Sequence, residues 1–512
     1  MTDNLKTYVK ALFLSTPVLL LFAFSISPLY QFEGDDVCVF KQMGLLITNG
    51  GTPYADLFDN KGILLYLLYA IGMAGNCGKW GVFLINSLVM ALTVALWMNT
   101  AALVTGTTST YIPAERTATT GQQHSRLHNA CRTYVPVVIA LLAYVAFQTQ
   151  GGMTEDICLP VQAYVIYLAA RNIHTGSNTS TREYAVIGLL LALTVFVRFN
   201  NACGILAFLL FDILGCSGCR KAKCTGLAAL LATALSVVAI IYIIMYGIYG
   251  AEGVGSMNYA MFGSILTYAT LSDAPTHNYL YIHAALSLYL LGAMWLMHNR
   301  QNREGRTDAG GKNSEPSLRA CTFATILLVT TFASFGRLYF NHYFILLLPA
   351  YVFCALFLRH HGRLLAPPLL ACLLISTYKT AKAIGMAGNE NQIHTANFYS
   401  QTDSIMQLIP DDERHCIFNL NGGTTALEVL QRQRVSQCNR FPIRMNNTLF
   451  AQVRELDVTD TSICWVIVSP SSSVTPKDAL AIETHYEEMH ATHFDKDTDN
   501  LIFYKRKRTN TH

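Results

Sequence analysis

Charge is what this chain lacks. Only 13% of its 512 residues are Asp, Glu, Lys or Arg, while 52% are hydrophobic. That charged share is roughly half of what a soluble domain carries. A net charge of +4 is too slight to suggest a nucleic-acid partner. The sequence has no internal repeat, no Walker-type glycine loop and no HExxH motif, which removes the usual signatures of a nucleotide-driven machine and of a zinc hydrolase. GGTT at 422–425 reads as a turn before a helix rather than a phosphate loop. Most of the fourteen cysteines lie in apolar runs, where a small hydrophobe is the ordinary reading. Cys216, Cys219 and Cys224 (CSGCRKAKC) resemble half a zinc ribbon, but the second half is missing. Cys416 and Cys438 are candidates to pair if their compartment is oxidising.

What the chain has instead is apolar length. Residues 11–30 form an uncharged run long enough to cross a bilayer, with no small-residue cleavage site, so it reads as a retained first span. Further apolar runs fall near 81–104, 134–148, 157–170, 184–197, 201–215, 225–249, 279–298, 320–335, 343–358 and 363–379. Residues 63–75, ILLYLLYAIGMAG, are apolar but short and suit an interfacial or re-entrant helix.

The positive-inside rule supports eleven spans. With Lys6 and Lys10 in the cytoplasm, the cytoplasmic connections carry Arg116, Arg126, Arg132, Arg171, Arg182, Arg220, Lys221, Lys223, Arg300, Arg303, Arg306, Lys312, Arg319, Arg359 and Arg363. The opposite face of the membrane region carries only Lys41, Lys61, Lys79, Arg198 and Arg337. Counting 63–75 as a span would invert every later loop and destroy that asymmetry. The fold class read from this is a polytopic α-helical membrane protein of about eleven transmembrane helices, with an interfacial helix in the first external loop.

Beyond Tyr378 the character changes. CIFNL (416–420), SICWVIVS (462–469) and LIFYKRK (501–507) read as strands; TTALEVLQRQ and TPKDALAIETHYEEM read as helices, the second opened by Thr-Pro. The domains are therefore 1–380, a membrane domain, and 381–512, a small non-cytoplasmic α/β domain.

Ionisable residues at one membrane face are costly and usually functional. The first external loop offers Glu33, Asp35, Asp36, Lys41, Asp56, Asp59 and Lys61; QGGMTEDICLP offers Glu155 and Asp156; span five ends in Arg198; and span nine ends in GRLYFNHY, with Arg337, Tyr339, His342 and Tyr343. Two acidic loops facing two basic helix ends suit transfer from a lipid phosphate. A carboxylate accepts the proton of the attacking group, and cations meet the charge of the departing phosphate. Each residue also has a plainer role. Asp36 can cap a helix opening at Val37, Glu155 and Asp156 can complement a helix dipole, and Lys61, Arg198, Arg337 and His342 can snorkel at helix ends. Asp56 and Asp59, in TPYADLFDN, read first as turn residues fixing the loop. Tyr54, Tyr339 and Tyr343 suit sugar stacking, though interfacial tyrosines are common.

The stretch GDDVCVF…GLLITNGGTPYADLFDNKGILLYLLYAIG resembles the first external loop of the GT-C membrane glycosyltransferases, nearest to the protein-mannosyltransferase and aminoarabinose-transferase group. TEDICLP resembles their second-loop acidic motif, and GRLYFNHYFILLLP a late R-x-Y-x-HY…P motif. The resemblance covers 1–380 in topology and order of motifs; the C-terminal domain matches only in type. Ile63 stands where that family commonly has Pro. The resemblance implies a polyprenyl-phosphate-linked sugar as donor and transfer on the non-cytoplasmic face to a lipid, glycan or protein acceptor. It implies Asp35 as base or acceptor-orienting carboxylate, with Asp36 and Glu155 assisting catalysis. Lys61, Arg198, Arg337 and His342 would meet the donor phosphate, and Tyr54, Asp156, Tyr339 and Tyr343 would contact substrate. Asp35, Asp36 and Glu155 would be the ligands of a Mg2+ or Mn2+ ion if one is used, and the family has both metal-using and metal-independent branches. Two rivals stand beside this reading: a lipid-linked-sugar flippase or transporter, and a polysaccharide polymerase or ligase.

Overall fold

The structure is a computed structural model and describes residues 3–30, 34–106, 137–147, 150–215, 220–264, 277–304, 315–336, 340–359, 361–386, 389–441, 456–470, 474–492 and 500–507. Its helices in chain order are α1 (Asp3–Phe22), α2 (Asp35–Thr48), α3 (Ile63–Met73), α4 (Gly78–Thr105), α5 (Val137–Phe147), α6 (Thr154–Thr175), α7 (Thr181–Val195) and α8 (Cys203–Leu214). There follow α9 (Arg220–Asn258), α10 (His277–Glu304), α11 (Glu315–Ser334), α12 (Leu348–Phe357), α13 (Gly362–Met386), α14 (Asn389–Leu408), α15 (Gly423–Arg432) and α16 (Pro476–His485).

Among the described residues, six helices are long and apolar enough to cross a membrane: α1, α4, α9, α10, α11 and α13. Their outer faces explain why bilayer is the solvent that suits them. Along α9, Leu231, Leu235, Ile243, Ile244 and Ile248 all stand exposed, a continuous apolar surface that water would disfavour. The chain is a polytopic helical membrane protein, with one small sheet among the described residues.

Among the described residues the internal apolar runs noted above are helical, the run 343–358 opening as a 3-10 turn. The first does not keep its register. The run 11–30 suggested a helix over those residues, but α1 ends at Phe22. Its last third is folded into turns by Ser25, Ser27 and Pro28: the Leu29 amide donates to Ser27 Oγ (3.3 Å) and the Gly34 amide to Ser25 Oγ (2.9 Å). Hydropathy scores serine and proline here as tolerable, but their local hydrogen bonding and fixed φ favour turns. Asp35 therefore lies well beyond the end of α1 instead of close behind it.

The chain divides into two compact units, the first formed by Met1–Ala23, Asn86–Ile240 and Ser272–Ala383, the second by Phe24–Ile85, Ile241–Leu271 and Ile384–His512. In the first, α8 packs against α6 and α11, and α12 against α10 and α11. Phe323 of α11 joins the rings of Phe211 (5.1 Å between centroids) and Phe353 (4.9 Å) in its core.

In the second unit α2 lies along α3. A four-stranded sheet runs in the order β1 (Ile417–Asn419), β2 (Trp465–Val468), β4 (Ile502–Arg506), β3 (Tyr486–Ala491); β1 and β2 are parallel and the other pairs antiparallel. Side chains alternate between its faces. Ile417, Trp465, Ile467 and Phe503 bury against Met406 and Ile409 near the end of α14 and Val429 and Leu430 of α15. Phe418, Val466 and Val468 bury against Ala481 and Ile482 of α16. Glu487 and Glu488 face solvent on the outer strand β3, a common guard against edge pairing.

Two expectations about this sheet are corrected. The segment TPKDALAIETHYEEM does not stay helical: α16 ends at His485, and Tyr486 begins β3, its ring buried and its hydroxyl donating to Val458 O (2.8 Å). Cys416 is bonded to Cys464 and not to Cys438. The register explains it. Ile417 pairs with Trp465, so the residues just before them stand side by side with Cα atoms 5.3 Å apart, inside the range a disulfide spans.

Helix α15 docks onto α2 within this unit. Gln431 Nε2 donates to Cys38 O (2.6 Å), Gln42 Nε2 to Val435 O (3.3 Å), and the Phe58 amide to Arg440 O (2.6 Å).

Candidate functional site

The first unit gathers Glu155, Asp156, Arg198, His342 and Tyr343, which come from three separate helix ends. The turn before α6 is made by Gly151 and Gly152, both at φ +78°, a conformation that disfavours side chains. At Gly151 a Cβ would also fall 2.4 Å from Ala23 Cβ. That turn sets Glu155 and Asp156 in the first turn of α6, where the helix dipole favours negative charge.

Arg198 follows α7 in extended backbone, its amide tied to Thr194 O (2.8 Å). Its Nη1 donates to Glu155 Oε1 (3.1 Å) and Thr154 Oγ1 (3.2 Å), and its Nη2 donates to the Tyr343 hydroxyl. The guanidinium also lies 4.5 Å from the Tyr343 ring centroid, a cation–π geometry. Tyr343 sits in the 3-10 turn Asn341–Leu347 that leads into α12, with the His342 ring 4.7 Å away. Glu155 is 0% exposed, and its Oε2 has no hydrogen-bond partner among the described residues. One oxygen is held by a cation and the other is spare. A carboxylate in that state can accept from a hydroxyl, amine or water brought to it.

Asp156 is engaged differently. Its Oδ1 accepts from Tyr144 OH (3.1 Å) and its Oδ2 from the Met153 amide (3.0 Å), so it ties the start of α6 to α5.

The second unit holds Asp35, Asp36, Tyr54 and Lys61. The helix expected to open at Val37 instead opens at Asp35, with Gly34 at the cap position and no side-chain cap. Asp36 is thus inside the first turn and does not cap it. Downstream, Asp56 Oδ2 accepts from the Thr52 amide (2.6 Å). Asp59 and Lys61 are both buried and ion-paired (3.2 Å). Asp59 Oδ1 also accepts from the Asn60 amide (2.7 Å), and its Oδ2 from Tyr66 OH (2.8 Å). Tyr54 OH donates to Lys61 O (2.9 Å), and the Lys61 amide donates to the Tyr66 oxygen (3.1 Å). Burial pushes both phenols well above their ordinary pKa, and the Asp59 charge raises them further. Tyr54 holds this place at φ +69°, a strained value for a bulky residue.

Arg337 and Tyr339 lie outside the described residues. So do Glu33, Cys216 and Cys219. Among the described residues no group of three His, Cys, Asp or Glu side chains is placed to hold a metal ion, and Glu155 Oε1 already faces the Arg198 cation.

Two further features escaped sequence reasoning. Thr154 and Tyr144, which hold Arg198 and Asp156, carried no signal beyond adjacency to the acidic pair or membership of an apolar run. Inside the helices, His283 Nδ1 lies 3.2 Å from Tyr351 OH, which lies 3.1 Å from Ser287 Oγ. His283 and Ser287 stand four apart on one face of α10, a spacing visible within the apolar run 279–298.

No protein-family model matches the chain, and no curated protein matches it.

Proposed function

We propose that the chain is a glycosyltransferase of the GT-C type with eleven spans. It would move a sugar from a polyprenyl-phosphate donor to a hydroxyl or amine acceptor on the non-cytoplasmic face. The observation that carries this reading is the meeting of Glu155, Arg198 and Tyr343, far apart in sequence, in one buried cluster of mixed charge at helix ends. Buried ion pairs are costly to build, and in a membrane helix bundle they are usually kept for a task.

In the proposed reaction Asp35 takes the acceptor's proton, and the freed electron pair attacks the anomeric carbon. The bond from that carbon to the phosphate oxygen breaks, and its electron pair leaves with the polyprenyl phosphate. One displacement inverts the anomeric centre. Because phosphate is a good leaving group, a single base suffices, unlike the paired carboxylates of glycosidases. Arg198 is oriented beforehand by Glu155 and Tyr343, so little reorganisation is required when charge develops on the phosphate. His342 and Arg337 are its companions in this reading, and Tyr54, Tyr339 and Tyr343 are sugar contacts. Lys61 would meet phosphate from its ion pair with Asp59. A Mg2+ or Mn2+ ion, if used, would draw on Asp35, Asp36 and Glu155; no step above needs one. The N-terminus is cytoplasmic and the C-terminal domain external, in a plasma or bacterial inner membrane. The loop-charge bias and the Cys416–Cys464 disulfide, a bond typical of oxidising compartments, support that orientation.

The test is sugar transfer by purified protein in lipid, with radiolabelled polyprenyl-phosphate sugars, with and without EDTA. Asp35→Asn is expected to lose about 100-fold or more in transfer while donor binding persists. Normal transfer by Asp35→Asn, or movement of the lipid-linked sugar across the bilayer without transfer, overturns the assignment. The second outcome favours transport, a reading that draws on the polar trio His283, Ser287 and Tyr351 buried within the helices.

A further inference from the structure

A cavity of about 490 Å³ opens in the second unit among the start of α4, α2 and the end of α15. Lys41, Lys79, Arg432 and Arg434 line it, against one carboxylate, Glu428. Asp403 offsets part of that excess through Arg432 (2.8 Å), and the cavity remains positive. The cations are held in place: Lys79 Nζ donates to Tyr30 O (2.7 Å), Arg434 Nη1 to Met73 O (3.0 Å), and the Arg432 guanidinium lies 4.3 Å from the Tyr399 ring centroid. Gln431 also lines the cavity. It is buried, its Nε2 is used by Cys38 O, and its Oε1 has no partner among the described residues. A cation-rich wall asks for an anion with several oxygens; the amide side chains of Gln431 and Gln433 beside it suit hydroxyl groups. Exposed Trp80 stands at the rim, at the end of a helix long enough to span a membrane, as interfacial tryptophans do.

We propose that this cavity binds a phosphate ester that carries hydroxyl groups, either the polyol headgroup of a membrane lipid or a soluble sugar phosphate. The phosphate faces the Lys and Arg side chains, and the hydroxyl groups meet the wall that Gln431 and Gln433 share. None of these residues is assigned to the donor or to the transfer step above, so the inference stands whether or not the chain is a transferase.

The test uses the full chain in phosphatidylcholine nanodiscs. Glucose 1-phosphate is titrated by calorimetry, with inorganic phosphate as the probe that lacks hydroxyl-bearing carbons. Glucose 1-phosphate is expected to bind saturably and more tightly than inorganic phosphate. Lys79→Gln and Arg432→Gln should each weaken it by about tenfold, the scale of one charge-assisted hydrogen bond. Glu428→Gln, which removes the opposing charge, should tighten it by roughly threefold, a direction that general loosening would not produce. The lipid arm measures retention of phosphatidylglycerol by native mass spectrometry from mixed nanodiscs; selective retention lost in the same two variants identifies a lipid source. If neither glucose 1-phosphate nor phosphatidylglycerol binds in a way that Lys79→Gln or Arg432→Gln weakens, in variants that melt like the parent, the proposal is wrong. Should either variant fail to fold, Glu428→Gln decides: unchanged or weaker binding overturns it.

Discussion

Two acid–base groups in this protein are each built from a carboxylate, a cation and a tyrosine and differ in what they leave over. In the segment between α2 and α3, both oxygens of Asp59 are engaged, by Lys61, the Asn60 amide and the Tyr66 hydroxyl. At the start of α6, Glu155 is held by Arg198 through one oxygen while the other has no partner among the described residues. A network that engages both oxygens, saturated in that sense, rigidifies its surroundings and leaves little for a ligand. An unsaturated one carries a standing cost of about 1–3 kcal/mol that a substrate group can relieve. Burial and charge do not tell these two groups apart; what differs between them is the remaining hydrogen-bonding capacity of the carboxylate.

The largest effect should come from breaking the saturated group. Asp59→Ala leaves Lys61 buried without its carboxylate and should destabilise the second unit by about 3–5 kcal/mol, seen as a lower thermal midpoint and lower denaturant resistance. A near-native melt would show that the loop does not depend on this pair. Glu155→Gln should do the reverse. The proposed transfer is expected to fall by about 100-fold, with the melt shifted little, since Arg198 keeps Thr154 and Tyr343. If the two variants behave alike, the distinction fails. A smaller effect of about 1–2 kcal/mol should follow Tyr66→Phe, which takes one donor from Asp59.

Alkaline pH probes the same bond. The Tyr54 and Tyr66 phenols are raised in the folded protein, so folding disfavours the phenolate. Their contribution is complete below the ordinary value of about 10 and fades as pH rises above it, because the unfolded chain then ionises first. Melts between pH 9 and 11.5 should fall more steeply for the parent than for a Tyr54→Phe, Tyr66→Phe double variant.

Much of this architecture is legible from residues alone, for physical reasons. Apolar length locates the helices because a bilayer-sized run has few other uses, and short runs of β-branched and aromatic residues locate β1, β2 and β4. What escapes is set by neighbours. The Ser25–Ser27–Pro28 turn hides within an apolar average. TPKDALAIETHYEEM turns into strand at Tyr486 because β4 is there to receive it. Cys464 pairs with Cys416 because of strand register, which spacing along the chain does not contain. The polar helix α14 has too weak a pattern to announce itself. In the candidate site, the acidic pair and the arginine stood out as charges in an uncharged chain. That Glu155 would pair with Arg198 while Asp156 turned to Tyr144 depended on packing.

The docking of α15 on α2 has a bearing on how the protein is made. Gln431 and Cys38, which it joins, are 393 residues apart in the chain. At a synthesis rate of about 5–20 residues per second, on the order of 20 to 80 seconds separate the making of α2 from that of its partner helix. Through that interval the first loop waits with its docking face uncovered. One of the earliest segments of the protein is therefore among the last to mature, and a ribosome stalled before α15 would leave it open to proteases and chaperones.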